Sequence, residues 1–230
     1  MTRDGVVGDR SASPSSRLPF VIGLTGSIAA GKSTVAELLR RRGAEVIDAD
    51  RVYRSLLTPG STLSRRLTER FGSAIVGSDG EIDRTELAKI VMSDPKELAD
   101  LDRITHPAVV AEIRDQIAQT SSPLVVLEAV KLVQSGLTSD VDALWLITAD
   151  PDTRLRRLMS RSGMDEAQAR ARIAAAPERV PEGVRLDATI DTSGELAATA
   201  SAVDDAWRAL RFDQAYEKQK HRISAEKESS

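Results

Sequence analysis

Short apolar runs alternating with helix-period segments organise this chain. "FVIGL" at residues 20–24 is apolar throughout, as expected of a parallel strand covered on both faces. A loop of small residues follows, then "KSTVAELLRRRG", whose apolar positions recur at helical spacing until Gly43, a residue suited to end a helix. "AEVID" (44–48) reads as a second strand, "LVVLEAV" (124–130) and "ALWLITA" (143–149) as a third and fourth, and "ATID" (188–191) as a fifth. A terminal helix is expected from about Glu195. Strands that alternate with helices predict an α/β fold around a parallel sheet.

Two stretches interrupt that alternation. Residues 51–122, between the second and third strands, are mostly helical in pattern and far exceed an ordinary crossover. They read as a helical insertion beside the sheet, with Asp94-Pro95 starting a helix and His106-Pro107 breaking one. A second helical excursion, about 151–176, follows the fourth strand and is dense in arginine. The main domain is expected over 20–212. Residues 1–19 are rich in Ser, Gly and Pro and read as a disordered leader, and 213–230 as a polar helix end and tail.

Composition narrows the partners. The formal net charge of −3 argues against a nucleic-acid or membrane surface as the main partner. No run approaches the ~18 apolar residues of a membrane span. Cysteine is absent, which removes thiolate metal sites and a Cys nucleophile and fits a cytoplasmic protein.

The loop carries the clearest chemistry. "GSIAAGKS", Gly26 to Ser33, matches G-x-x-x-x-G-K-[ST] between a strand and a helix. Such a backbone curls so that successive N–H groups point at phosphate oxygens, and the helix start adds its positive end. Lys32 can reach the β- and γ-phosphates of a nucleoside triphosphate, and the Ser33 hydroxyl can ligate Mg2+. The fold class follows: a three-layer P-loop NTPase with a parallel sheet, a helical insertion and a helical lid. The loop says that ATP and Mg2+ bind, and leaves the second substrate open.

Two further clusters bear on that substrate. Asp48 and Asp50 lie just past the second strand, at the sheet edge where such loops converge. A carboxylate there could take the proton of an attacking hydroxyl, or Asp50 could cap the helix that begins "RVYRSLL". Spacing alone does not choose between them. Arg157 and Arg161 are four apart on one helical face and could close over phosphates, or could face solvent and pair with nearby acidic residues.

Taken in order, "GLTGSIAAGKSTVA", "GAEVIDADRV", "DGEIDRTELAKIVMSDPKELADLDRITHPAV", "DPDTRLRRLMSRSGMDEAQARARI" and "LDATIDTSG" resemble the dephospho-coenzyme A kinase family from Phe20 to about Leu210. The resemblance implies transfer of the ATP γ-phosphoryl to the ribose 3′-hydroxyl of dephospho-CoA. It implies that Gly26, Ser27, Ile28, Ala29, Ala30, Gly31, Lys32, Ser33 and Thr34 line the ATP and Mg2+ site. It assigns Asp50 as base, places Thr25 beside the loop, and makes Arg157 and Arg161 lid arginines. His106, with Pro107, matches a His-Pro pair near the acceptor, although a histidine that merely orders a helix is equally compatible.

Several positions depart from the family pattern. Ser27 and Ala29 stand where the family has glycines, and Ala29 is strained only if its backbone is left-handed. "VLEAVKLVQSG" replaces an Asp-Val-Pro-Leu-Leu-Phe-Glu-like stretch. Lys131 therefore stands at an apolar position, where it could reach the acceptor's phosphates, and Glu128 could organise Mg2+ water. Ala176 replaces a Gln, and Thr192 replaces an Asn near the adenine. Such drift leaves two alternatives: a kinase for another small hydroxyl metabolite such as a nucleoside, or a homologue that binds nucleotide with impaired catalysis. A monomer or weak homo-oligomer is expected.

Overall fold

The computed structural model describes residues 19–174, 180–181 and 183–210. The expected leader up to residue 18, Ala176 and the tail 213–230 lie outside the described residues.

Five parallel strands form the sheet among the described residues: β1 (Phe20–Thr25), β2 (Glu45–Asp48), β3 (Leu124–Glu128), β4 (Ala143–Thr148) and β5 (Ala188–Asp191), in the spatial order β2-β3-β1-β4-β5. β1 is central. Its register pairs Leu24 with Glu128 on one side and with Trp145 on the other. The chain moves outward from β1 in one direction to β2 and β3, then returns past β1 to β4. The crevice beyond the carboxyl end of β1 is therefore the switch point where α/β proteins bind ligands.

Alternate residues of each strand serve opposite faces. Ile22, Leu24, Val126 and Trp145 join the core under α1 (Lys32–Arg40) and α8 (Leu196–Ala209). Val21, Val125, Leu127 and Leu144 join a second core closed by α2 (Ala49–Ser55) and α5 (Pro95–Gln119), through Val52, Ile113 and Ile117. Burial on both faces is why these strands read as unbroken apolar runs. Gly23 lies between the layers, where an added Cβ would come within 2.9 Å of Leu132 and Val141 side chains.

The insertion has its own core. Leu57, Leu67, Ile75, Leu87 and Ile104 pack α3 (Thr62–Phe71) and α4 (Arg84–Ser93) against the first half of α5. The second half of α5 lies on the sheet, so one 25-residue helix joins the insertion to the core. Asp94 caps it, accepting from Lys96 N, as the Asp94-Pro95 start predicts.

The expected break at His106-Pro107 does not occur. Pro107 sits inside α5. Both Pro107 and Arg103 are exposed, so the carbonyl that loses its helical partner faces water. Packing of both helix halves holds the helix through the lost bond. β3 also ends two residues earlier than its apolar run suggests. Ala129 N still donates to Leu24 O at 3.1 Å, and the chain then turns away.

The arginine-rich excursion is a helical pair, α6 (Pro151–Ser162) and α7 (Glu166–Ala174), joined by Gly163 in a left-handed turn. Its small core of Leu155, Leu158 and Ala169 packs against Ile28 and Ala29 of the phosphate-type loop.

Candidate active site

The loop between β1 and α1 owes its shape to three residues with positive φ: Gly26 at 142°, Ala29 at 60° and Gly31 at 90°. At Gly26 a Cβ would sit 2.1 Å from Ile147 O, so only glycine fits. Gly31 is the N-cap of α1 and makes no side-chain cap, leaving the first N–H groups of the helix for a ligand.

Ala29 is the departure that matters for loop shape, and its backbone is left-handed. That conformation costs an L-residue about 1–2 kcal/mol. The methyl recovers part of it by packing against the small core of Leu155, Leu158 and Ala169. Ala29→Gly is therefore expected to change stability by no more than about 1 kcal/mol, because relief of strain and loss of burial oppose each other. Ala29→Val adds a branched side chain to the same backbone and is expected to cost about 2 kcal/mol or more. Denaturant unfolding of both variants measures this; a harmless valine would mean that the loop is not left-handed at 29.

Lys32 is 6 % exposed and folds back to donate to Gly26 O at 3.0 Å and Ser27 O at 3.1 Å. Burial holds its pKa below the usual lysine value, while the charges of Glu128, Asp48 and Asp50 act in the opposite sense. Its neighbour Ser33 is exposed and donates to Glu128 Oε1 at 3.0 Å. Burial raises the Glu128 pKa, as does Asp48, whereas the Ser33 bond, Lys32 and Arg161 lower it. A hydroxyl and a carboxylate in contact at the loop mouth are hard oxygen donors of the kind Mg2+ takes. Thr34 is exposed beside Ser33, and Thr25 Oγ1, at the end of β1, is 3.5 Å from Val130 O.

The two aspartates after β2 divide their roles. Asp48 is the N-cap of α2, accepting from Asp50 N at 2.9 Å and Arg51 N at 3.4 Å. Asp50 was the residue expected to cap if it were structural; instead it stands in the first helical turn, exposed, with its carboxylate 2.5 Å from Arg54. Sequence reading overlooked Arg54, although its i,i+4 spacing from Asp50 was a usable signal.

The two arginines expected to form a lid also part company. Arg157 is half-buried and donates to Thr192 Oγ1 at 2.9 Å, to Thr192 O at 2.5 Å and to Ala29 O at 3.4 Å. Thr192 is 2 % exposed and donates to Ala30 O at 2.7 Å. The side chain expected near the adenine is thus buried behind the loop, bracing it to α6, because a hydroxyl there finds a carbonyl and a guanidinium within reach. Arg161 remains exposed, close enough to Glu128 for its charge to lower that pKa.

Lys131 and His106 converge on one carboxylate that sequence reading missed, Asp102. Lys131 Nζ is 2.8 and 2.6 Å from its two oxygens, and His106 Nε2 is 3.4 Å from Oδ1. Burial lowers the His106 pKa; Lys131 lowers it further and Asp102 opposes. Asp102 escaped notice because its meaning lies in a contact 29 residues away along the chain.

Comparison with known proteins shows the family and the fold. The family model described as dephospho-CoA kinase matches residues 20–198. A dephospho-CoA kinase from Symbiobacterium thermophilum is 43% identical over 192 residues, covering 82% of this chain and 80% of that protein. One from Leifsonia xyli is 41% identical over 198 residues, covering 83% and 98%. Among solved structures, a protein from Thermus thermophilus superposes with a TM-score of 0.70 at 32% identity, covering 84% of this chain and 98% of that one. A dephospho-CoA kinase from Campylobacter jejuni shares the fold, with a TM-score of 0.54 at 21% identity over 83% and 96% of the two chains.

Proposed function

Because the chain belongs to the dephospho-CoA kinase family, we infer that it transfers the γ-phosphoryl group of ATP to the ribose 3′-hydroxyl of dephospho-CoA, releasing ADP and coenzyme A. The observation that carries this reading is the meeting of Lys32, the Ser33–Glu128 pair and Asp50 at the carboxyl edge of β1, β3 and β2.

The loop N–H groups from Gly26 to Thr34 cradle the phosphates, and the Lys32 ammonium exchanges its two carbonyl partners for phosphate oxygens. Ser33 and Glu128 would hold Mg2+, Glu128 through water; the ion, when bound, offsets negative charge on the β- and γ-phosphates. Asp50 accepts the proton as the 3′-oxygen forms its bond to phosphorus and the bond to the ADP oxygen breaks. Arg161 is the lid cation left to meet the transferred group. Arg157 keeps the lid and loop in register through Thr192.

An ADP-release assay with Mg-ATP and dephospho-CoA tests the reading, and absence of turnover would sink it. The replaced stretch around Val130 and Gln134 favours a second reading, a kinase for another small hydroxyl metabolite; a panel of nucleosides run in the same assay separates the two. The chain is taken to act in the cytoplasm as a monomer or weak homo-oligomer; its molar mass in solution, measured by light scattering, checks the oligomeric state. No described helix is long and apolar enough to cross a membrane.

The brace behind the loop gives a further expectation. Thr192→Val keeps the volume but leaves the buried Ala30 carbonyl without its donor and Arg157 with fewer acceptors. Stability is expected to fall by about 1–3 kcal/mol, with the KM for ATP rising and that for dephospho-CoA unchanged. Equal changes in both constants would show that Thr192 does not serve the ATP side.

A further inference from the structure

Lys131, Asp102 and His106 meet where the helical insertion joins the sheet. Asp102 and His106 are one turn apart on α5, whereas Lys131 comes from the loop after β3, three residues past Glu128. Side-chain exposures of 35%, 30% and 30% leave the three partly shielded yet reachable by a ligand. Leu98, one helical turn before Asp102, and Val130, next to Lys131, are two of the four large hydrophobics exposed among the described residues. This edge therefore offers an ammonium and an imidazole flanked by apolar side chains, beside the end of β3 that carries Glu128.

The hydrogen-bond inventory of this cluster suits a ligand. An ammonium has three N–H donors; the two Asp102 oxygens occupy two of them, and the third is left to donate outward. His106, held below its usual pKa chiefly by burial, is neutral at neutral pH, so it does not compete with Lys131 for the Asp102 charge. Its Nε2 stands 3.4 Å from Asp102 Oδ1, a looser contact than the two bonds from Lys131. A half-exposed ion pair contributes only about 0–1 kcal/mol to folding, so stability alone is a weak reason for it.

We infer that Asp102 is a positioning residue of the acceptor site: it fixes Lys131, with His106 beside the pair, so that the ammonium meets the diphosphate of dephospho-CoA while Leu98 and Val130 flank the pantetheine arm. This rests on the reading of the chain as a dephospho-CoA kinase. The charge pair shares no residue with the loop or its Thr192–Arg157 brace, so its loss is expected to separate the two substrates kinetically.

Steady-state kinetics of the full chain test this with Asp102→Asn, Asp102→Glu, Lys131→Met and Lys131→Arg, each checked for an intact thermal transition. Asp102→Asn and Lys131→Met are each expected to raise the KM for dephospho-CoA about tenfold and leave the KM for ATP within about twofold. Asp102→Glu and Lys131→Arg, which keep the charges, are expected to recover most of that loss. If the KM for dephospho-CoA stays at the wild-type value, or both constants rise together, the pair is only a brace and the inference falls. A wild-type chain that does not turn over dephospho-CoA removes the functional reading itself, and this inference with it.

Discussion

Asp50→Asn is expected to lower kcat by about 10²–10⁴-fold while the KM for ATP changes little. The amide matches the carboxylate in size but cannot take the proton of the 3′-hydroxyl. The substitution does not disturb the helix start, because Asp48 makes the cap bonds to Asp50 N and Arg51 N through its own side chain. Asp50 is exposed at the loop edge and held by Arg54 at 2.5 Å, which directs the carboxylate without burying it. Asp48→Asn serves as the control: an asparagine still caps, so kcat is expected to stay near the wild-type value. Rapid-quench measurement of phosphoryl transfer with saturating ATP isolates the chemical step. An Asp50→Asn protein that turns over normally would remove Asp50 from the proton's path.

Lys32→Met is expected to reduce turnover on the order of 10³-fold, since it deletes a preorganised cation at the phosphates that no neighbour replaces. The fold is expected to survive. Methionine fills the buried stem, and the cost of burying an ammonium, visible in the lowered Lys32 pKa, disappears. Against this, Gly26 O and Ser27 O lose their donor. The opposing effects leave stability within about 1–2 kcal/mol of wild type. Calorimetry beside the activity assay distinguishes this from unfolding: a collapsed melting transition would make the lost turnover uninformative about phosphate binding, and retained turnover would exclude Lys32 from it.

Much of this was legible along the chain because its causes are local. Burial of strands on both faces writes itself as apolar runs, and each of the five expected strands is present. The loop motif needs glycine at its two ends, Gly26 and Gly31, where φ is positive, and a cation at a helix start, and both requirements fall within eight consecutive residues. The Asp94-Pro95 helix start and the terminal helix are local in the same way. The family resemblance rested on such segments, and the matched span of 20–198 contains all of them.

What local pattern could not supply was the allocation of polar groups between distant segments. Asp48 rather than Asp50 caps α2, a choice decided by how the chain leaves β2. Thr192 lies 162 residues from Ala30, yet its hydroxyl is committed to that carbonyl and to Arg157, so a position read as facing the base is a buried brace. Pro107 fails to break α5 because two separate cores grip the helix on either side of it. Lys131 stands out in sequence only as a charge in an apolar position, and its partner Asp102 is identified by the fold. The sequence by itself determined the strands, the loop and the chemistry the loop can bind, since spacing over a few residues sets backbone shape and amphipathic faces. The tertiary structure alone decided which carboxylate, hydroxyl and arginine remain available to substrates, because Thr192 and Arg157 are withdrawn by hydrogen bonds to residues far away in the chain, and Asp48 by the way the chain turns from β2 into α2.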